Sequence, residues 1–103
     1  MKNPFENLDK VMSHNSRLQI MSVLAVNESY DFTSLRELLQ ISDGNLATHI
    51  KSLEREKYIS VSKSFVDRKP STRYKITEKG RGAFRKHIDA LDELVRNQKG
   101  NKS

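Results

Sequence analysis

Apolar residues in this chain recur at helical spacing through the first half, switch to strict alternation near residue 58, and return to helical spacing at the end. Asn3 can cap a helix and Pro4 suits its first position; Phe5, Leu8 and Met12 then follow at i, i+3 and i+7, predicting a short helix through about Val11. Asn15 or Ser16 can cap a second helix, whose broad apolar face of Leu18, Ile20, Met21, Val23 and Leu24 ends near Asn27 and is expected to be buried. Thr33 is placed to cap a third helix with Leu35, Leu38 and Leu39 inward. After a turn through Gln40 and Ile41, Ser42 caps a fourth, with Ile41 and Leu46 arranged as a hydrophobic staple. Two short helices around a tight turn predict a helix-turn-helix.

From Tyr58 the period becomes two. Ile59, Val61 and Phe65 share one face, Ser60, Ser62 and Ser64 the other, and Tyr74 and Ile76 supply a matching return strand. This predicts a β-hairpin with a tip over Asp67–Arg73. Thr77 caps a last helix in which Phe84, Ile88, Leu91 and Val95 follow at i, i+4, i+7 and i+11. That helix reaches about 20 residues, or roughly 30 Å, longer than one small core needs. The expected fold is mainly α with a β-hairpin wing (α+β), a single domain over residues 1–97 with extra N- and C-terminal helices and a disordered polar tail over 98–103.

Charge sharpens this picture more than composition does. The net charge of +6 is uneven: residues 1–56 carry 6 basic and 8 acidic side chains, residues 57–75 carry 6 and 1, and residues 76–103 carry 7 and 4. A basic stripe on the hairpin and last helix is the electrostatic footprint of a polyanion partner. Hydrophobic residues at 35% and charged ones at 31% fit a globular domain. With no cysteine there are no disulfides or thiolate metal sites, and His14 and His87 lie far apart without ligand-spaced partners, so neither metal nor cofactor is expected. No apolar run spans a bilayer and no signal-peptide layout is present, so the expectation is a cytoplasmic protein with no membrane association.

On the fourth helix Leu46, Ile50 and Leu53 occupy a narrow arc. At 100° per residue, Gly44, Asn45, Thr48, Lys51, Ser52 and Arg55 point away from it. Short polar side chains let a helix sit close in the major groove; Asn suits adenine, and Thr and Ser suit base edges or phosphates. The competing reading of this face is ordinary solvated surface. Gly44 removes a side chain where a phosphate or base could approach. His49, nearer the apolar arc, suits a phosphate contact or a structural hydrogen bond. The tip residues Arg68, Lys69, Ser71, Thr72 and Arg73 offer cations and hydroxyls, Arg for a narrow minor groove and Lys for phosphate. With Thr33, Ser34 and Ser42, these residues are the expected contacts to double-stranded DNA. The length of the last helix suggests a dimer interface formed by Phe5, Leu8, Met12, Phe84, Ile88, Leu91 and Val95, which would place two recognition helices about one DNA turn apart; packing of the first and last helices within one monomer is the competing reading.

Between about Glu6 and Leu94 the chain resembles winged helix-turn-helix transcriptional regulators of the MarR-like and ArsR-like group, most closely those with a stand-alone winged domain. The resemblance rests on Arg17-Leu18-Gln19-Ile20, Asp31-Phe32-Thr33, Ser42-Asp43-Gly44-Asn45-Leu46, His49-Ile50-Lys51-Ser52-Leu53-Glu54, Arg68-Lys69-Pro70 and Thr72-Arg73-Tyr74-Lys75-Ile76-Thr77-Glu78-Lys79-Gly80. Asp67-Arg68 also looks like the MarR-like wing motif, in which Arg enters the minor groove and Asp orients it. Such a family implies a cytoplasmic homodimer on a pseudo-palindromic operator, often with a small-molecule effector, for which the sequence defines no pocket. Two departures stand out: Lys57 occupies the place of a glycine after the recognition helix, and the metal ligands of ArsR-like sensors are absent.

A winged-helix protein-interaction module without sequence-specific DNA binding is the alternative. No nucleophile-base pair, glycine-rich phosphate loop or metal constellation supports an enzyme.

Overall fold

The structure, a computed structural model, describes Asn3 and residues 5–100, the last three by their backbone alone. Its elements run α1 (Asn15–Val26), β1 (Tyr30–Asp31), α2 (Phe32–Leu39), α3 (Asp43–Arg55), β2 (Ile59–Val66), β3 (Lys69–Ile76) and α4 (Glu78–Gly100). The strands form an antiparallel sheet in the order β1-β3-β2. The expected α+β architecture is present, with helix-turn-helix α2–α3 followed directly by the β2–β3 wing. Helix α4 runs three residues into the tail expected from residue 98, and residues 101–103 lie outside the described residues.

Local chemistry explains the helix starts. Ser42 Oγ accepts the Asn45 N–H at 3.1 Å and starts α3 as its sequence predicts. Thr77 does the same for α4, accepting the Gly80 N–H at 2.9 Å. Thr33 is not the cap of α2: Asp31 accepts the Ser34 N–H at 3.0 Å, and Thr33 sits inside the helix. For α1 the cap is His14, one residue before Asn15.

The first predicted helix does not form. Residues 5–13 make successive turns, because Asp9 Oδ1 accepts the N–H groups of Val11 at 2.8 Å and Met12 at 3.0 Å and so diverts the backbone from a continuous helix. Asn3 Oδ1 still accepts the Phe5 N–H at 2.9 Å, while Pro4 lies outside the described residues. As a result Phe5 and Met12 do not share a stripe. Phe5 is 59% exposed and Met12 is fully buried in the core with Ile20, Met21, Leu24, Leu35, Leu46, Ile50 and Leu53.

The wing leaves the core quickly. Ile59 and Tyr74 are buried at its base, but Phe65 is 75% exposed, so the alternation in β2 faces the core only at its first position. Strand β1, which no pattern signalled, pairs Tyr30 with Tyr74 and Asp31 with Arg73.

Tyr58 joins the pieces. Its N–H reaches Leu53 O at 3.0 Å and closes α3; its carbonyl accepts the Thr77 N–H at 3.0 Å; its hydroxyl donates to Asp9 Oδ2 at 2.6 Å. Burial first, and then the bond to Asp9, raise the phenol's pKa well above its ordinary value. The Asp9 N–H in turn donates to Nδ1 of buried His87 on α4 at 2.9 Å. The first turn of α4 lies directly on Tyr58: a β-carbon on Gly80 would overlap the Tyr58 carbonyl oxygen and stand 2.8 Å from its carbon.

Two expectations follow for stability. Gly80→Ala and Gly82→Ala gain the same helix propensity, roughly 1 kcal/mol. Position 82 is open space, whereas position 80 meets backbone. Thermal or chemical denaturation should therefore show Gly82→Ala stabilising, and Gly80→Ala destabilising by about 1–3 kcal/mol from overpacking; matching signs would refute the close approach. The second concerns pH. His87 accepts an N–H through Nδ1 and is held below its ordinary pKa of 6.5, chiefly by burial and against the opposing pull of Asp9. The unfolded chain takes up that proton more readily, so this contribution is intact above about pH 6.5 and lost as pH falls through the lower folded value. Denaturation midpoints measured against pH should decline more gently for His87→Gln than for the wild type; parallel declines would remove His87 from the account.

Candidate nucleic-acid interface

Helix α3 buries Leu46, Ile50 and Leu53 and exposes Gly44, Asn45, Thr48, Lys51 and Arg55, with Ser52 half-buried beside them. The period that packs the core thus fixes the opposite face. Nothing within 4 Å would meet a β-carbon at Gly44, so the protein's own packing does not require glycine there. Thr48 donates its hydroxyl to Gly44 O at 2.9 Å and Ser52 to Thr48 O at 3.2 Å. These bonds hold both hydroxyls along the helix and leave their oxygens as acceptors. Arg36 Nη1 bonds Asp43 Oδ1 at 2.8 Å, tying α2 to the start of α3.

The ends of this unit are held in left-handed backbone without glycine. Gln40 (φ 54°) turns α2 toward α3, and Lys57 (φ 62°) follows α3. Lys57 N–H reaches Glu54 O at 2.9 Å and Tyr58 N–H reaches Leu53 O at 3.0 Å, a Schellman closure with lysine where glycine is usual. At the wing tip Asp67 (φ 51°) and Arg68 (φ 66°) form the two-residue turn between the paired Val66 and Lys69, with both residues left-handed as a type I′ turn requires. The turn is therefore shorter than the expected tip: Lys69–Arg73 belong to β3. Pro70 is tolerated opposite Phe65 because no β1 residue pairs with β3 at that level. Among the described residues, the non-glycine residues with positive φ, Gln40, Lys57, Asp67 and Arg68, fall at the two ends of the recognition helix and at the wing tip, the kind of clustering that marks functional segments.

The remaining expected contacts divide. Arg68 and Lys69 are exposed at the tip, and Thr33, Ser71 and Thr72 come together along one cleft with Asp31, Phe32 and Tyr74. Ser34 and Ser42 serve helix capping. The Ser34 hydroxyl is the largest influence holding the Asp31 carboxyl below its usual pKa. Arg73 is diverted: Nε donates to Ser29 Oγ at 2.8 Å, Nη2 to Ser29 O at 3.3 Å, and Nη1 lies 3.9 Å from Asp31, so it fastens β3 to β1. His49 accepts from Arg17 Nε at 3.2 Å, the structural alternative named for it. Arg17 and His14, which stand around His49, were not among the expected contacts; their 32-residue and 35-residue separations carry no local signal.

The apolar stripe of α4 divides between core and surface. The face toward the domain carries Gly80, Ala83, His87 and Ala90, with Phe84 also packed against the core at its edge, whereas Ile88, Leu91 and Val95 lie further around the helix. Phe84 and Leu91 are half-buried, Ile88 is exposed, and Val95 is 52% exposed. Leu8 is half-buried, and Met12, fully enclosed by its own chain, has no surface to offer a second one. Among the described residues no three His, Asp or Glu side chains converge as metal ligands, and no helix is long and apolar enough to cross a membrane.

Comparison with known proteins agrees with this geometry. Residues 16–95 match the family model described as a winged helix DNA-binding domain. An uncharacterized protein of Methanocaldococcus jannaschii is 35% identical over 88 residues, covering 85% of this chain and 96% of its own. Among solved structures, a transcriptional regulator homologue from Pyrococcus horikoshii OT3 superposes with a TM-score of 0.80 at 27% identity, covering 85% of this chain and 87% of that one. A transcriptional regulator of Thermotoga maritima shares the fold, with a TM-score of 0.68 at 18% identity over 85% of this chain and 61% of that one. An exposed small-polar helix face, a cationic wing and a family match over most of the chain converge: this protein belongs to the winged helix DNA-binding domain family and is a DNA-binding regulator.

Proposed function

We propose that the protein acts as a homodimeric transcriptional regulator that binds a pseudo-palindromic duplex operator through α3 and the wing. The observation that carries this reading is the pairing of a short-side-chain face on α3 with Arg68 and Lys69 on a wing fixed in a type I′ turn. Asn45 and Thr48 read base edges in the major groove. Lys51, Lys69, Ser71 and Thr72 hold phosphates, Gly44 admits the backbone closely, and Arg68 enters the minor groove. Two protomers join along the Phe84, Ile88, Leu91 and Val95 stripe, with Phe5 and Leu8 at its edge, and set the half-site spacing. Under this reading the protein works in the cytoplasm and needs no cofactor. A small-molecule effector would act by shifting the spacing of the two recognition helices.

The runner-up, a protein-interaction module, draws on Phe65, Val66 and Val61, which leave apolar surface on the wing. Duplex binding separates the two. Affinity should fall steeply with salt, and Lys69→Ala should lower the log-log slope by about one, since each neutralised phosphate contributes roughly 0.9. Asn45→Ala should weaken operator binding by about 1–3 kcal/mol more than random-duplex binding in competition assays. Salt-independent affinity, or equal losses on both duplexes, contradicts these assignments.

Assembly has its own test. Val95 is half-exposed in one protomer, so a carboxylate there is harmless to a monomer but is desolvated without a partner in a dimer seam. Val95→Glu should sediment as a folded monomer at concentrations where the wild type is dimeric, and bind a palindromic site far more weakly because linked binding is lost. A wild-type monomer with unchanged operator affinity in Val95→Glu rules the dimer out.

A further inference from the structure

Where α1 packs against α3, three side chains present hydrogen-bond donors and no acceptor. Arg17 Nε donates to His49 Nδ1 at 3.2 Å. The rings of His49 and His14 lie 4.3 Å apart, tilted by 46°. His14 Nδ1 accepts the Ser16 N–H at 3.2 Å. Because both imidazoles use Nδ1 as the acceptor, each neutral ring carries its proton on Nε2 and has only a donor left. Arg17 retains both terminal nitrogens, which make no hydrogen bond among the described residues, and none of the ion pairs there includes it.

The electrostatics point the same way. Burial, then His14, then Arg17 hold the His49 pKa below its ordinary value. The two charged or titratable groups acting on His49 both come from the α1 side, and no carboxylate opposes them. A cluster with unused donors and no counter-charge suits an oxyanion. At 100° per residue, His49 lies about 60° from the centre of the buried arc, on the shoulder of α3 that also carries Asn45 and Ser52. An anion held there borders the face assigned to DNA.

We propose that Arg17, His14 and His49 form a clamp for one backbone phosphate of the bound duplex, a contact supplied by α1 in addition to α3 and the wing. The inference rests on the DNA-binding reading above, and it assigns sequence-independent grip and register to α1. Arg17 presents Nη1 and Nη2 to the phosphate oxygens, and the neutral histidines add their Nε2–H donors.

The test uses the full chain and a random-sequence duplex, since a phosphate contact reads no bases. Arg17→Gln should lower the salt slope by about one while Arg17→Lys, which keeps the charge, restores it. An unchanged salt slope in Arg17→Gln overturns the clamp, even if its thermal midpoint falls, because that outcome leaves the Arg17–His49 bond a purely structural tie. If Lys69→Ala lowers the slope and Arg17→Gln does not, the clamp fails and the DNA reading stands; if wild type binds no duplex, both fail. Titration with inorganic phosphate, followed by the histidine ring resonances, separates the source of the anion. Shifts with free phosphate, combined with an unchanged duplex slope in Arg17→Gln, would assign the cluster to a free oxyanion and reject the DNA clamp.

Discussion

The carbonyl of Tyr58 is the point on which the rest of the structure depends. It follows the left-handed residue that closes α3, it accepts the first N–H beyond the wing from Thr77, and it lies where a β-carbon on Gly80 would have to stand. The recognition helix, the wing and the long last helix are therefore fixed to one peptide group. The Tyr58 hydroxyl extends the same node to Asp9, and Asp9 to His87. Any rotation of α4, for instance at a dimer seam, must act on the end of α3 through this joint, since packed contacts shift as units and do not deform smoothly.

Local signals in the sequence carry much of this arrangement. Ser42 and Thr77 cap their helices because the cap and its N–H partner lie three residues apart, and the Leu46, Ile50, Leu53 spacing faces the core at helical period. Periodicity fails where a side chain intervenes. Phe5, Leu8 and Met12 have helical spacing, yet Asp9 binds two backbone N–H groups between them and makes a turn. Alternation in β2 assigns faces but not the reach of the core, so Phe65 ends in solvent. Strand β1, the diversion of Arg73 to Ser29, and the Asp9–His87 and Arg17–His49 bonds all depend on pairing across tens of residues, which no window along the chain contains.

Charge and strain meet at the parts assigned to DNA. The wing carries its cations on a turn with two left-handed non-glycine residues, and the recognition helix is bracketed by two more. Each such residue stores conformational energy that surrounding contacts must offset, and here the offset comes from the Schellman closure, the β2–β3 ladder and the Arg36–Asp43 bond. These contacts close the backbone around the segments that present Asn45, Thr48, Arg68 and Lys69. On α4 the domain packs against small residues, a histidine and Phe84, and Ile88 and Val95 stand exposed to one side. Adjoining faces of one helix, sharing Phe84, thus serve folding and the proposed assembly.

Backbone amide shifts on adding duplex DNA test the central claim most directly, because they locate the contact without disturbing the fold. The account predicts the largest changes at Gly44, Asn45, Thr48 and Ser52 on α3, at Arg68 and Lys69 on the wing, and around Arg17, with α4 beyond Ala90 little affected. Changes concentrated on α4 or on Phe65 and Val66, with α3 silent, would contradict it and favour a protein partner instead.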